Sequence, residues 1–438
     1  MVIKNYNQLA TNKLRKDALN IIESAYEAID IESLTKKRVK IKKGYLCVSD
    51  ASRNERVNLK KFKRIFLIGF GKGSSLAIAT LAGIFKPLGS RFVGGISLDV
   101  KNSNPNPSPL NPKIKFFKGT HPKPSITNVR TTQKIVDLVR SAGQNDLVIY
   151  FIGGGGSSLL CGSLGELNSS KFVFDQLTQK GASIKELNIV RKHLSEVKGG
   201  GLTKFTYPAT SVSLIVSDVC GNDFSTIASG PTVFDKTKIE DAIGIFRKYN
   251  ISFKGVNFIE TPKDKKYFTK SKYFLLACNQ DAALAMLATA RKIKYTASIL
   301  SLAVEKEVSQ VFIESLKKIK NGEAIIMAGE TTVKIKGKGK GGRNQEACLF
   351  VLSRALSKMI NIKDILVSSF ASDGFDNTPV AGAIVDQESL EKTKNLSLNP
   401  KKFLSKNDSF SFFRKTQDQI YIQRKSFNVS DLMLIIKK

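Results

Sequence analysis

Three glycine-rich segments of this 438-residue chain carry residue types that can bind phosphate or carboxylate groups. The first, Gly69-Phe-Gly-Lys-Gly-Ser-Ser75, follows a short apolar run and precedes a helical pattern. Backbone amides at such a strand-to-helix turn form an anion cradle, in which Gly71 is a candidate phosphate contact and Lys72 adds a positive charge. A structural turn with an exposed lysine is the alternative interpretation.

This turn partly matches two nucleotide-binding patterns. In a dinucleotide fingerprint Ser74 stands where the third glycine belongs, although Asp99, at the end of the next strand, could serve as the ribose-binding acid. A P-loop needs a leading glycine and a Ser or Thr directly after Gly-Lys, and both are missing here. The pattern therefore weakens an oxidoreductase hypothesis without excluding it.

The second segment places four glycines and two serines directly after an apolar strand, at residues 152–159. Consecutive glycines lose much conformational entropy on ordering, so they are favoured where a ligand must approach the backbone closely. The two serines can cap the following helix and donate to a phosphate. A flexible connector is the alternative. The predicted phosphate contacts are Gly154, Gly155, Gly156, Ser157 and Ser158.

A basic helix is predicted just before the three glycines at 199–201. Spacings of three and four residues bring its polar side chains largely to one side. We predict phosphate or substrate contacts for Asn188, Arg191 and Lys198. A solvated basic face is the alternative, and a structural role is the preferred interpretation of His193.

The second half of the chain supplies an arginine and further carboxylates. Arg343 and Asn344 precede a helical pattern behind a loop rich in glycine and lysine, which is flexible enough to fold over an anion. A planar guanidinium suits two-pronged binding of phosphate or carboxylate. Carboxylates near strand ends suit Mg²⁺, and the candidate ligands are Asp218, Glu330 and Asp373.

Taken together, these segments describe a site for phosphates and a divalent metal. Phosphoryl transfer depends on positioning and charge neutralisation, with little covalent chemistry from the protein. The absence of an evident pair of nucleophile and histidine is therefore no objection to this chemistry.

Short apolar runs that lead into glycine- or serine-rich loops and then into helical patterns must position these residues. This alternation predicts an α/β fold with mostly parallel strands, in two domains. We predict a doubly wound domain over residues 1–240, a linker or hinge at 241–271 and a smaller α/β domain at 272–438.

Composition excludes several classes of protein. The five cysteines form no Cys-x-x-Cys pair, so neither a zinc site nor a disulfide framework is indicated. The net charge of +33 attracts anions, but the lysines are spread along the chain with few interleaved aromatics, which argues against a dedicated nucleic-acid site. No apolar stretch approaches the roughly 18 residues of a membrane span, and the N-terminus lacks a secretory signal. We expect a cytoplasmic protein.

The ordered set of motifs resembles the glycerate 2-kinase family, whose C-terminal part is called the MOFRL domain. The matching segments are residues 69–72, 121–124, 153–157, 188–200, 217–218, 227–232, 329–333, 339–344 and 372–374.

The resemblance implies phosphorylation of D-glycerate on its 2-hydroxyl, with ATP and Mg²⁺, in a cleft between a Rossmann-like and a smaller α/β domain. It also implies that Lys72 and Arg343 match the two basic residues tied to catalysis. On this hypothesis the loop at 153–158 holds the ATP phosphates, and domain closure excludes water. Glycerate and ATP would be the small-molecule partners, and a homodimer is compatible with the resemblance.

Three alternatives stay open. The first glycine turn suggests an NAD(P)-linked hydroxypyruvate reductase. The C-terminal sequence Ile422-Gln-Arg-Lys-Ser-Phe-Asn-Val-Ser-Asp431 lacks the glycine- and threonine-rich turn that the family carries there, which suggests a weakened metabolite-binding relative. Charge alone suggests a nucleic-acid binder.

Overall fold

The computed structural model describes residues 1–50, 53–101, 112–305, 308–423 and 425–438. The chain divides into two compact units. The N-terminal unit comprises Ile31–Ser217 and Asn222–Ala277, and the C-terminal unit comprises Met1–Asp30, Asp218–Gly221 and Cys278–Lys438. Each unit is built on a six-stranded sheet with helices, which confirms the predicted α/β class.

The helices, in chain order, are α1 (Tyr6–Leu9), α2 (Lys13–Ala28), α3 (Ile31–Arg38), α4 (Ser74–Phe85), α5 (Ile126–Arg140), α6 (Gly156–Leu159), α7 (Leu164–Gln179), α8 (Ile184–Lys192), α9 (Gly201–Thr206), α10 (Ile239–Lys248), α11 (Asn279–Lys292), α12 (Val308–Leu316), α13 (Arg343–Leu356), α14 (Gln387–Asn395), α15 (Pro400–Leu404) and α16 (Ser409–Thr416). Within the described ranges, no helix is both long enough and apolar enough to span a membrane.

The strands are β1 (Val39–Lys42), β2 (Tyr45–Ser49), β3 (Asn54–Asn58), β4 (Arg64–Phe70), β5 (Phe92–Val100), β6 (Ile114–Gly119), β7 (Asp146–Ile152), β8 (Thr210–Val216), β9 (Ser271–Ala277), β10 (Thr296–Val304), β11 (Glu323–Gly329), β12 (Ile365–Ala371), β13 (Gly382–Val385), β14 (Gln419–Ile420) and β15 (Asp431–Lys437).

The large sheet of the N-terminal unit is entirely parallel, in the order β6-β5-β4-β7-β8-β9. Counted from its first strand, this is the 3-2-1-4-5-6 order of dinucleotide-binding folds, as predicted. A parallel sheet is covered on both faces, so its strands are continuous apolar runs, and β7 is buried at every position. The strands β1, β2 and β3 form a separate antiparallel sheet in the same unit.

The sheet of the C-terminal unit is mixed, in the order β10-β11-β15-β12-β13-β14. Only β10 and β11 run parallel, and β15 lies antiparallel between β11 and β12. The last strand of the chain is therefore in the middle of the sheet. One core joins this sheet to α13, through residues such as Met327, Leu352, Val367 and Met433.

The compact units differ from the predicted domain bounds at residues 1–30, 218–221 and 241–277. Residues 1–30 belong to the C-terminal unit, because α2 packs on α11 and buries Arg15 in that unit. The stretch 241–271, predicted as a linker, contains most of α10, which buries Phe246 in a core cluster. The strand β9 then pairs with β8, so the N-terminal sheet continues to Ala277.

Arg15 is among the largest fully buried side chains of the described residues. Its Nε and Nη2 donate to the two carboxylate oxygens of Asp386 at 2.8 and 2.7 Å. Its Nη2 also lies 3.0 Å from Asp418, whose side chain is fully buried. This buried network ties the N-terminal helix to the C-terminal sheet.

We expect Arg15→Ala to destabilise the protein by about 3–5 kcal/mol, because it leaves the buried Asp386 without its cation and leaves Asp418 with Lys392 alone, at 3.1 Å. The neighbouring pair Lys13 to Asp17 provides a matched control, since the Lys13 side chain is 73% exposed. Lys13→Ala should change stability by about 1 kcal/mol or less. Urea unfolding of both variants measures this, and equal midpoints would contradict a role for the buried network.

Candidate active site

Two of the three predicted glycine loops lie side by side at the carboxyl edge of the N-terminal sheet. They follow β4 and β7, the adjacent strands at which the strand order reverses. The amide of Lys72 donates to the carbonyl of Gly154, and the amide of Gly153 to that of Phe70, both at 2.9 Å. Open α/β sheets bind their ligands at such a switch point.

The close contact between the two loops requires a glycine at position 71. Its φ is +107°, and a Cβ at this position would lie 2.3 Å from the carbonyl oxygen of Gly153. Only glycine fits there. This gives Gly71 a packing role, and its phosphate contact stays a prediction.

The helix start behind the first loop is already occupied by a carboxylate of the protein. Asp99 accepts from the amide of Gly73 at 3.3 Å and from that of Ser75 at 3.1 Å. Burial raises the pKa of Asp99, and Lys118, at 4.0 Å, together with the amide hydrogen bonds, opposes the rise. The anion cradle predicted here is therefore filled from within, and Asp99 caps a helix instead of standing ready for a ribose.

The second loop borders a surface pocket that collects several predicted residues. Four of the predicted phosphate contacts line it, together with two more lysines and one acidic residue. These lining residues are Ser157, Ser158, Arg191, Lys198, Lys123, Lys171 and Glu166. Among the described residues, no carboxylate accepts a hydrogen bond from an amide of loop 153–158, in contrast to the first loop.

Arg191 lines this pocket without a counter-ion among the described residues. Its guanidinium stacks on Phe174 at 5.0 Å and lies 3.4 Å from the side-chain oxygen of Asn188. Across the part of the chain that the structure describes, no carboxylate lies within 4.0 Å of it. Burial lowers the pKa of Arg191, with no neighbouring anion to oppose the shift. A half-buried, uncompensated guanidinium is a favourable contact for an incoming phosphate.

Lys198 and Asn188 have internal partners. The Lys198 ammonium is buried, pairs with Glu166 and donates to the carbonyl of Leu160 at 2.8 Å. Asn188 accepts from Arg191 and from Ser229. Lys198 is thus a neutralised part of the pocket wall in this structure, and its phosphate contact stays a prediction.

Ser229 belongs to the site but was not predicted from the sequence. Its hydroxyl lies 2.8 Å from that of Ser157 and 3.3 Å from the side-chain oxygen of Asn188. Ala228 and Ser229 both have left-handed backbone angles, with φ of 52° and 60°. Such strain persists only where the surroundings enforce it. Here a Cβ on Gly156 would lie 2.7 Å from that of Ala228, so the strained turn packs directly on the second loop.

In the C-terminal unit, Arg343 begins α13 and is held by two carboxylates. Its Nε and Nη2 donate to Asp431 at 2.6 and 3.2 Å, and its Nη1 donates to Glu330 at 2.9 Å. Burial alone would lower the pKa of Arg343, but the charges of Asp431 and Glu330 outweigh burial. The pKa of Arg343 is therefore raised above that of a free arginine. Glu330, predicted as a metal ligand, is thus an ion-pair partner of Arg343 in this structure.

The start of α13 is filled from within, like that of α4. Asp376 accepts from the amides of Asn344 and Gln345 at 3.1 and 2.9 Å, and burial raises its pKa to about 6. The Asn344 side chain is fully buried and donates to both Asp376 and Asp431. Asn344 therefore positions two carboxylates, and its contact with a ligand stays a prediction.

The glycines before Arg343 have a packing role as well. A Cβ on Gly339 would lie 2.5 Å from the carbonyl oxygen of Lys406, and one on Gly342 would lie 2.2 Å from the Asp376 carboxylate. Asn407 accepts from the amides of Lys336 and Gly337. This loop is held by hydrogen bonds and close packing against residues 406–407 and Asp376, whereas the sequence predicted a loop flexible enough to fold over an anion.

The remaining candidate metal ligands lie near the C-terminal segment 426–430. Asn428 donates to Asp218 at 3.1 Å, and Ser372, the neighbour of Asp373, accepts from the amide of Val429 at 2.8 Å. Within the described residues, no group of three His, Cys, Asp or Glu side chains is arranged to hold a metal. A Mg²⁺ site here would need oxygens from a ligand to complete it.

Comparison with known proteins identifies the family. The family model described as "Domain of unknown function (DUF4147)" matches residues 17–257, and that of the MOFRL family matches residues 323–431. A D-glycerate 2-kinase from Thermotoga maritima is 31% identical over 424 residues, which are 92% of this chain and 99% of the relative. The chain belongs to the glycerate 2-kinase family. The resemblance noted in the sequence is thereby confirmed.

A solved structure and a second relative are also similar to this member of the glycerate 2-kinase family. The crystal structure of a glycerate kinase from Thermotoga maritima matches with a TM-score of 0.80 and 28% identity, covering 97% of this chain and 99% of that chain. A relative from Agrobacterium vitis, provisionally named a hydroxypyruvate reductase, is 33% identical over 85% of this chain and 99% of its own.

Proposed function

We propose that this protein transfers the terminal phosphoryl group of ATP to the 2-hydroxyl of D-glycerate, with Mg²⁺. The observation that carries the proposal is the match, over nearly the whole chain, to a D-glycerate 2-kinase. In the reaction a bond forms between the substrate oxygen and the γ-phosphorus, the bond from that phosphorus to the β,γ-bridging oxygen breaks, and the hydroxyl proton is released.

The pocket beside the second glycine loop supports a role in holding the nucleotide phosphates. Two of the three glycine loops present their helix starts to carboxylates of the protein, Asp99 and Asp376. The loop at 153–158 instead contributes Ser157 and Ser158 to the pocket that Arg191 also lines. We assign the phosphates to this loop, with Lys72, on the adjoining loop, as a further cation.

The carboxylates of the C-terminal unit fit a magnesium ion in part. Asp218 and Asp373 offer oxygen ligands, and Mg²⁺ in kinases is commonly held by one or two carboxylates together with substrate phosphates. When bound, the ion would neutralise charge on the transferring phosphoryl group. Arg343 would bind the glycerate carboxylate or the phosphoryl oxygens, for which its planar head group is suited.

A nicotinamide-dependent reductase is a less favourable assignment. A dinucleotide-binding turn holds pyrophosphate at the helix start after the first strand. In this protein the Asp99 carboxylate takes that position, and a phosphate there would meet a buried negative charge.

A coupled assay of ADP release, over glycerate, glycerol and related hydroxy acids, tests the proposal. We expect turnover that requires D-glycerate, ATP and Mg²⁺ together, and phosphorus NMR should place the phosphate on carbon 2. A change in nicotinamide absorbance with hydroxypyruvate, without ATP and without any ADP release in the first assay, would establish the reductase instead.

Arg191→Ala should raise the KM for ATP by roughly 10- to 100-fold, because it removes a half-buried cation without a counter-ion from the phosphate pocket. No carboxylate is left unpaired by this change, so the fold should persist. Arg140→Ala is a matched control, since Arg140 also stacks on an aromatic ring, that of Phe205 at 4.3 Å, but does not line the pocket. Steady-state kinetics with varied ATP measure both, and equal KM values would remove Arg191 from the phosphate site.

A further inference from the structure

The two carboxylates that hold Arg343 differ sharply in how firmly they are fixed. Asp431 begins the central strand β15, where its backbone pairs with both β11 and β12. Its side chain is 1% exposed and also accepts from Asn344 at 2.9 Å and from the Thr331 hydroxyl at 3.3 Å. Asp431 is therefore a permanent partner of Arg343.

Glu330 is held far more loosely. Its side chain is 58% exposed, and its contact with Arg343 Nη1, at 2.9 Å, is its one polar contact among the described residues. Glu330 follows Gly329, the last residue of β11, so its backbone has left the sheet. Exposed ion pairs of this kind contribute little to stability, so the Glu330 carboxylate can leave Arg343 for water at little cost in free energy.

The two carboxylates at Arg343 already neutralise its charge, which opposes the binding of an additional anion. One guanidinium faces Asp431 and Glu330, so the group carries a net negative charge when both carboxylates are ionised. An incoming carboxylate or phosphoryl oxygen would be repelled unless one of the two moves away. Asp431 is locked in the sheet, which leaves Glu330.

We infer that Glu330 is a built-in competitor for the anion site of Arg343. It occupies Nη1 with the same carboxylate chemistry that a small carboxylate or phosphoryl group offers, and it swings into solvent when such an anion binds. This inference rests on the role proposed above for Arg343. It makes Glu330 a residue that sets the apparent affinity for the anionic ligand.

Glu330→Gln tests the inference, because it removes the competing charge while keeping the shape of the side chain. We expect the variant to bind D-glycerate, or inorganic phosphate, about fivefold more tightly than the unmodified protein, the ratio that corresponds to ~1 kcal/mol for an exposed ion pair. Calorimetry with each probe alone measures this without turnover. A gain with glycerate assigns the site to the carboxylate, and a gain with phosphate alone assigns it to the phosphoryl group.

Glu391→Gln provides the control, because Glu391 is exposed on α14 and this change also removes one negative charge. Its affinities should equal those of the unmodified protein. Equal or weaker binding by Glu330→Gln, or binding of neither probe by any form, would overturn the inference. If Glu330→Gln needed more Mg²⁺ for kinase turnover while its anion affinity stayed unchanged, the inference would also be overturned, and Glu330 would be a metal ligand. Absence of kinase turnover in the unmodified protein bears on the proposed function only, since the probes are bound without ATP.

Discussion

Lys72→Ala is expected to lower kcat/KM for glycerate phosphorylation by about a thousandfold. A cation about 4 Å from a phosphoryl oxygen contributes about 4 kcal/mol at an effective dielectric near 20, and 1.4 kcal/mol corresponds to a factor of ten in rate. Lys72 lies at the switch point of the N-terminal sheet, where its amide donates to the carbonyl of Gly154. That backbone contact survives the substitution, so the loss should fall on the chemistry and not on the loop.

Two further variants make the Lys72 experiment decisive. Lys72→Arg keeps the charge and should restore part of the activity. Lys134→Ala removes an exposed lysine from α5 in the same unit and should leave kcat/KM within about twofold. Initial rates of ADP release are measured for all three variants, with circular dichroism to check folding. Turnover by Lys72→Ala near that of the Lys134→Ala control would exclude Lys72 from the mechanism.

The strand-and-glycine pattern was sufficient to predict the N-terminal sheet and the place of its loops. Strand β7 is a continuous apolar run followed at once by four glycines, and both features are local in the sequence. The glycines themselves were harder to interpret. Gly71 and Gly342 are required by the close approach of Gly153 and Asp376, residues distant in the sequence, and a glycine that meets backbone looks the same in sequence as one that meets a ligand.

The same limit applies to the carboxylates. Asp99 and Asp376 each cap a helix that starts more than twenty residues away, so no local spacing reveals the pairing. Asp431 directly precedes the apolar run of β15, which was a usable signal for a carboxylate at a strand end. Its pairing with Arg343 could not be predicted, because that requires knowing that the last strand lies between β11 and β12.

The N-terminal helix shows why sequence order is a weak guide to the unit in which a segment packs. Residues 1–30 carry an amphipathic pattern that fits either unit equally well. Their place is decided by Arg15, whose carboxylate partners at positions 386 and 418 lie nearly four hundred residues away. Sequence order alone does not reveal these partners, which place the helix in the C-terminal unit.

Arg343→Ala should also reduce kcat/KM by about a thousandfold, since it removes the second cation assigned to the reaction. This variant carries a second effect, because Asp431 remains buried without its partner. Breaking a buried ion pair costs up to about 3–5 kcal/mol, and the 32% exposure of the Arg343 side chain makes that figure an upper bound. Loss of activity alone would therefore not distinguish a catalytic arginine from one that only neutralises Asp431.

Combining Arg343→Ala with Asp431→Asn separates the two effects. The double variant removes the orphaned charge, and the hydroxyl of Thr331 can still donate to an amide oxygen at position 431. We expect thermal stability to recover most of its loss while kcat/KM stays low, as measured by melting and by ADP release on the same samples. If activity returned together with stability, Arg343 would be a structural counter-ion, and the anion site assigned to it would have to be given up.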